Sequence, residues 1–296
     1  MSLQKTFTTL ISLSTKPVLA VAAAEDENIL VAIDYLVRQN MVDAILIGNK
    51  TIIERIIRQH SMQLTCEIIH TSSKHESVEI AIETIRNNKA TMLVKGKVET
   101  ATLLKAVLHK EKGLRKDDLL SHVSVAQLED RLLVFADGAM NIRPTIKQKH
   151  TIIEQCLQVA THCQFPYLHV GIICAIEKIN PKMICTEDAS VLKQMTYQFS
   201  HAIVDGPFAL DNALSLKAAQ AKQVQSPIAG DCNVLLMPEI ESGNIFYKSL
   251  AFIAKIDVAG IIMGAQVPIV VTSRADSYNN KVNAILLACV IASSKA

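Results

Sequence analysis

The chain has 296 residues, with 30 Lys and Arg against 28 Asp and Glu, for a formal net charge of +2 at pH 7. Half of it is apolar, only 4% is aromatic, and there is no Trp. Such a composition suits Ala/Ile/Leu/Val layers of sheet and helix, and it excludes an aromatic stacking platform or a basic stripe for nucleic acid.

The longest uninterrupted apolar runs, Val18–Ala24 and Ala284–Ala292, fall far below the roughly 18 residues a membrane-spanning helix needs. Lys5 ahead of an apolar stretch ending in Ala22-Ala23-Ala24 imitates a secretory leader, but Ser, Thr and Lys16-Pro17 interrupt it. Strand followed by helix start is the better reading. Seven Cys residues, with no Cys-x-x-Cys, point to reduced, buried thiols and a cytoplasmic protein. The nine His residues show no metal-ligand spacing, so no metal is expected.

In chain order, Pro17–Ala24, Asp43–Ile47, Cys66–His70 and Thr91–Val94 read as buried strands. Helical patterns follow each of them at Glu25–Gln39, Lys50–His60, Lys74–Asn87 and Thr100–Leu108. Leu119–Ala126 and Arg131–Ala136 then predict a strand pair joined at Glu129-Asp130, ahead of a helix over Thr145–His162. Strands resume at His169–Cys174, His201–Val204, Asn233–Met237, Asp257–Ile262 and Pro268–Thr272, and a helix closes the chain over Ser277–Ala292. Only the N-terminal dozen residues stand outside this rhythm, as a loose end. The alternation implies α/β architecture with parallel or mixed sheet flanked by helices. About ten strands, interrupted by the Leu119–Ala136 pair, are read as two lobes with a cleft between them.

The usual nucleotide fingerprints fail. No G-x-G-x-x-G occurs, and Lys95-Gly96-Lys97 lacks the first Gly and the Ser/Thr of a P-loop. The segment still ends a strand and opens a helix, so it is either an anion-holding turn or a purely structural one. Thr272-Ser273-Arg274-Ala275-Asp276-Ser277 also joins a strand to a helix. Its hydroxyls and unpaired amides suit a phosphate or an oxyanion, and so does the Arg274 guanidinium. An ordinary N-cap by Ser273 or Ser277 explains Ser and Asp276 but not Arg274, because a cation in the first turn opposes the helix dipole. Asp205-Gly206-Pro207 with Asp211-Asn212, and Ala229-Gly230-Asp231, each follow a strand-like run; Gly243-Asn244 opens a helix after Met237-Pro238. Strand ends are where open α/β sheets bind ligands, although Asp-Gly-Pro alone is also plain turn chemistry. Asp137-Gly138 has the same turn reading, and His122 that of a core histidine.

These segments together resemble the phosphate acyltransferases, the family of phosphate acetyltransferase and phosphate butyryltransferase. The resemblance runs from about Pro17 to the C-terminus. It rests on Ala22-Ala23-Ala24-Glu25-Asp26, Lys95-Gly96 through Thr100, Gly113-Leu114-Arg115, Leu120-Ser121-His122-Val123 and Asp137-Gly138-Ala139-Met140-Asn141. Further along lie Asp205–Ala213, Ala229-Gly230-Asp231, Gly243-Asn244 with Tyr247-Lys248, and Thr272–Ser277. The Ser-His-Val, Gly-Pro-Phe-Ala-Leu-Asp-Asn and Ser-Arg-Ala-Asp-Ser forms look like the butyryl branch.

The resemblance implies a two-lobed fold related to isocitrate and isopropylmalate dehydrogenases. Residues 1–140 and 268–296 would form one lobe, with the last helix returning to it, and 141–267 the other. It implies reversible conversion of acyl-CoA and phosphate to acyl phosphate and CoA, in a homo-oligomer, with no cofactor beyond the substrate coenzyme A and no nucleic-acid or membrane partner. The catalytic residues it implies are Ser273 as hydrogen-bond donor, Arg274 as phosphate clamp and Asp276. The substrate-binding residues are Lys95, Gly96, Thr100, Lys105, Ser121, His122, Asp205, Asp211, Asn212, Asp231, Gly243, Asn244 and Lys248. Two positions depart from the acetyl branch. Asn280 stands where that branch has an Asp proposed as base, and Lys105 stands where it has Arg, which costs the bidentate fork. Phosphate acetyltransferase and a non-catalytic acyl-CoA sensor on the same scaffold are the alternatives; the sensor is motivated by Asn280.

Overall fold

The computed structural model describes residues 2–11, 16–129, 131–199, 201–273 and 276–293. They divide into two compact units, 2–120 with 259–296, and 121–258.

In the first unit, α1 (Leu3–Leu10) buries Leu3 and Phe7 and packs against the last helix. This segment is an ordered amphipathic helix where a loose end was expected. β1 (Val18–Ala22), α2 (Glu27–Arg38), β2 (Asp43–Gly48), α3 (Lys50–Gln59), β3 (Glu67–His70), α4 (Lys74–Arg86), β4 (Met92–Lys95) and α5 (Thr100–Val107) then alternate as their periodicities predict. The helix starts are chemically marked. Asp26, Asn49 and Ser73 each accept a hydrogen bond from the main-chain N–H three residues on, removing one orphan donor per helix.

The second unit opens with β5 (Ser121–Gln127) and β6 (Leu132–Ala136), an antiparallel pair. Then come α6 (Ile146–His162), started by a Thr145–Gln148 capping box, and β7 (Leu168–Ile173). α7 (Ile184–Gln194), β8 (Ala202–Phe208), α8 (Leu210–Leu214), α9 (Leu216–Ala221), β9 (Val234–Leu236) and α10 (Ile240–Lys248) complete it. The strands run in the order β5-β6-β9-β7-β8, parallel from β6 onward. Phe135, Phe208, Ile173 and Leu235 fill the core. Because β6 pairs with β9 and β5 pairs with β6, the hairpin belongs to this unit. The divisions therefore fall at 120/121 and 258/259, earlier than the 140/141 and 267/268 expected.

The chain then returns to the first unit through β10 (Val258–Met263), β11 (Ile269–Val270) and α11 (Tyr278–Ser293). β11 inserts beside β4 in parallel and takes β10 antiparallel on its other side. The order is β3-β2-β1-β4-β11-β10. α11 is buried along most of its length and packs on α1, α2, β4 and β11. Between β1 and β4 the strand order reverses direction, which makes the carboxyl ends of these two strands the topological switch point of the unit.

Candidate functional site

At that switch point lies a cleft of about 440 Å³. Its walls come mainly from three distant stretches, Glu25–Ile29 after β1, Lys95–Val98 at the end of β4, and Thr272, Ser273 and Lys281 after β11, with Ile56 of α3 added. The first two stretches touch through main chain. Gly96 N donates to the Ala22 carbonyl at 2.9 Å, and Lys97 N donates to that of Ala23 at 2.7 Å. A Cβ on Gly96 would lie 2.1 Å from the Ala23 oxygen, so only glycine permits this approach. Lys95 Nζ folds over its own loop, donating to the carbonyls of Gly96 at 3.2 Å and Val98 at 3.1 Å. Thr100 opens α5 two residues beyond Val98.

The turn after β11 is held from within. Ser273 N donates to Asp276 Oδ2 at 2.7 Å, and Asp276 N donates back to the Ser273 carbonyl at 3.2 Å. Ser277 Oγ accepts from Asn280 N at 3.1 Å, so Ser277 caps α11 and the capping reading holds for that residue. Asp276 fixes the Ser273 main chain rather than presenting an unengaged carboxylate. Arg274 lies outside the described residues. Lys95, Gly96 and Ser273 thus meet in one cleft, and Asp276 supports it.

Lys105 does not join them. It projects from α5 into a separate cleft of about 940 Å³ against α4, with Arg86, His109, Lys112, Glu79 and Glu83.

In the second unit, Ser121, His122, Gly243, Asn244 and Lys248 gather at the carboxyl ends of β6 and β9. Antiparallel pairing brings the start of β5 to the end of β6, and α10 leaves β9 at the same level. His122 meets the Tyr247 ring edge-on at 6.1 Å between centroids, and Lys248 Nζ sits 5.1 Å from that ring and 5.2 Å from Phe252. Gly243 packs on the loop after β6, where a Cβ would lie 2.1 Å from the Asp137 oxygen, and Asn244 Nδ2 donates to the Gly138 carbonyl at 2.9 Å. The Asp137 carboxylate organises that loop through Ala139 N, Met140 N and Asn141 Nδ2. Asp137 and Tyr247 are therefore part of this cluster, although the sequence reading left them out of its site residues. Ser121 is committed to the interior, donating to Gln155 Oε1 at 2.5 Å.

The remaining candidates lie elsewhere. Asp205 sits inside β8, in strand conformation rather than a turn, and is tied to Lys193 at 2.6 Å and Ser226 at 2.7 Å. Asp211 is exposed, and the hydrogen bond from Lys222 holds its carboxyl below the ordinary value. Asn212 is fully buried and donates to Glu177 Oε2 at 3.4 Å. Asp231 precedes β9 and pairs with His169 and Tyr167 near the start of β7. It is at the amino ends of parallel strands, so the strand-end argument that selected it does not apply.

Among the described residues no three His, Cys, Asp or Glu side chains converge as a metal-ion site, and no helix is long and apolar enough to cross a membrane.

A mixed α/β sheet with its cleft at a switch point, walled in part by a strand-to-helix Ser turn, defines the class of α/β proteins that bind ligands at their strand carboxyl ends. More narrowly, a sequence profile of the phosphate acetyl/butaryl transferase family matches residues 51–289, and the chain belongs to that family. It is 40% identical over 278 residues to a phosphate butyryltransferase from Clostridium beijerinckii, covering 92% of each chain. It is 39% identical to a phosphate acetyltransferase from Thermotoga maritima, covering 93% of this chain and 95% of that one. Its fold superposes on a branched-chain phosphotransacylase from Enterococcus faecalis V583 with a TM-score of 0.84 at 28% identity, covering 93% of this chain and 99% of the other.

Proposed function

We propose that the protein transfers a short acyl group, butyryl in preference, from acyl-CoA to inorganic phosphate. A phosphate oxygen attacks the thioester carbonyl carbon, the tetrahedral oxyanion collapses, and the C–S bond breaks to release acyl phosphate and CoA thiolate. Phosphate monoesters lose their second proton near pH ~6 and inorganic phosphate about one unit higher, so a large nucleophilic dianion fraction exists near neutrality and this direction needs no acyl-enzyme and no strong base. It needs cations and donors that hold phosphate beside the carbonyl and meet the oxyanion.

The carrying observation is the convergence of Lys95, Gly96 and Ser273 from distant parts of the chain on one switch-point cleft. In this reading Ser273 donates to the developing charge, and Arg274, its neighbour in the chain, clamps phosphate. The Asp276 carboxylate already accepts from Ser273 N, which makes it a positioning group for the serine. Coenzyme A acts as substrate with no further cofactor. The working form is a homo-oligomer in the cytoplasm.

Transfer of acetyl is the second reading, since the butyryl and acetyl relatives are 40% and 39% identical. Acetyl and butyryl differ by two methylenes, each changing selectivity by only about 1–3 kcal/mol. The test is release of free thiol from butyryl-, isobutyryl- and acetyl-CoA, with and without phosphate. Phosphate-dependent release supports the proposal, and kcat/KM ratios rank chain length. Phosphate-independent release indicates a thioesterase, and binding without release indicates a sensor.

A further inference from the structure

We infer that Lys281 is a phosphate-binding residue of the switch-point cleft, an inference that rests on the transferase reading. Lys281 lines the cleft beside Thr272 and Ser273 yet is only 5% exposed. Its ammonium donates to the main-chain carbonyl of Asp276, a neutral partner. Among the described residues no carboxylate lies within ion-pairing distance of it.

Lys149 provides the comparison within the same chain. It is buried to the same degree, 4% exposed, and its Nζ is matched by Asp188 at 2.6 Å. A buried ammonium ordinarily acquires such a partner, because desolvating an uncompensated charge is costly. The local field makes the absence at Lys281 more telling. It sits in the first turn of α11, which carries no acidic residue, and there a cation opposes the helix dipole.

Three acidic side chains line the cleft: Glu27 Oε1 lies 3.3 Å from His60 Nε2, while Glu25, whose Oε2 has no partner among the described residues, and Asp26 each accept from a main-chain donor. Glu25 Oε1 accepts from Asn49 N at 2.6 Å, and Asp26 Oδ1 accepts from Ile29 N at 3.2 Å. The missing counter-charge at Lys281 is therefore supplied by a ligand, and the anionic reactant of this chemistry is phosphate. Bound there, phosphate receives the ammonium of Lys281 and the hydroxyl of Ser273 from one wall.

The test compares Lys281→Gln with the parent protein in the thiol-release assay. Gln keeps a donor for the Asp276 carbonyl and removes the charge. Loss of a charge-assisted hydrogen bond raises the phosphate KM about 10- to 100-fold, while the acyl-CoA KM stays within about twofold. A merely structural role would move both constants together with the melting temperature. An unchanged phosphate KM, or equal rises in both constants, overturns the inference. A second measurement needs no variant: acetic anhydride labelling of the native protein, read peptide by peptide, with and without inorganic phosphate. Phosphate should slow acetylation of Lys281, and an unaltered rate at saturating phosphate also overturns the inference. Should the parent protein show no phosphate-dependent thiol release at all, it is the transferase reading that fails, which distinguishes the two outcomes.

Discussion

Gly96→Ala isolates the cleft from the rest of the fold. The new Cβ would stand 2.1 Å from the Ala23 oxygen, and ordinary contact requires the two loops to part by a little over 1 Å. Parting weakens two main-chain hydrogen bonds, Gly96 N to Ala22 and Lys97 N to Ala23, each contributing about 0.5–1.5 kcal/mol. Overpacking adds about 1–3 kcal/mol, so a destabilisation of about 2–4 kcal/mol is expected. The larger effect falls on chemistry, because Lys95 and the start of α5 move with the loop, and a misplacement of about 1 Å costs on the order of 100-fold in rate. Thermal unfolding and phosphate-dependent kcat/KM should therefore both fall, the second far more. A variant with parental activity and melting temperature would refute the argument that close approach of these loops builds the site.

Three further outcomes are expected. Asp188→Ala strands the ammonium of Lys149 in the interior and should lower stability by about 3–5 kcal/mol in denaturant unfolding. Phe7→Ala removes a fully buried ring where α1 meets α11, at about 3–5 kcal/mol; hydrogen exchange should accelerate first over residues 3–10. Burial pushes the Cys66 thiol up to about 11 and those of Cys163, Cys232 and Cys289 to about 12. These groups ionise near 9 once unfolded, so folding favours their protonated form below that pH and progressively loses this advantage as pH rises from 9 toward 12. The melting temperature should drop across this window, with a smaller drop in a Cys289→Ala variant.

The alternation of strand and helix was legible because apolar periodicity and capping residues agree along β1–α5. α7 escaped notice because the residues it buries, Thr186, Ala189 and Leu192, leave little apolar rhythm, while Ile184 and Val191 face outward. α8 and α9 are too short for a periodic signal. Within the candidate site, Lys95, Gly96 and Ser273 were legible because they stand at strand ends. Lys281 did not, since one lysine inside a long apolar helix looks like a solvated side chain until its burial is known. Asp205 and Asp231 show the converse failure: Asp beside Gly reads as turn or strand-end chemistry, and only the strand directions reveal Asp231 at the opposite end.

The cleft has a temporal consequence. Its walls are supplied chiefly by residues 25–29, 95–98, 272–273 and 281, so the serine wall is synthesised well after the other two. During translation the stretch 121–258 can collapse on its own core while β4 still waits for β11 to take its open edge. A prematurely terminated chain therefore lacks the serine wall altogether. On the proposed reading, the cleft is assembled only once β11 slots in beside β4 and α11 covers the apolar face behind it.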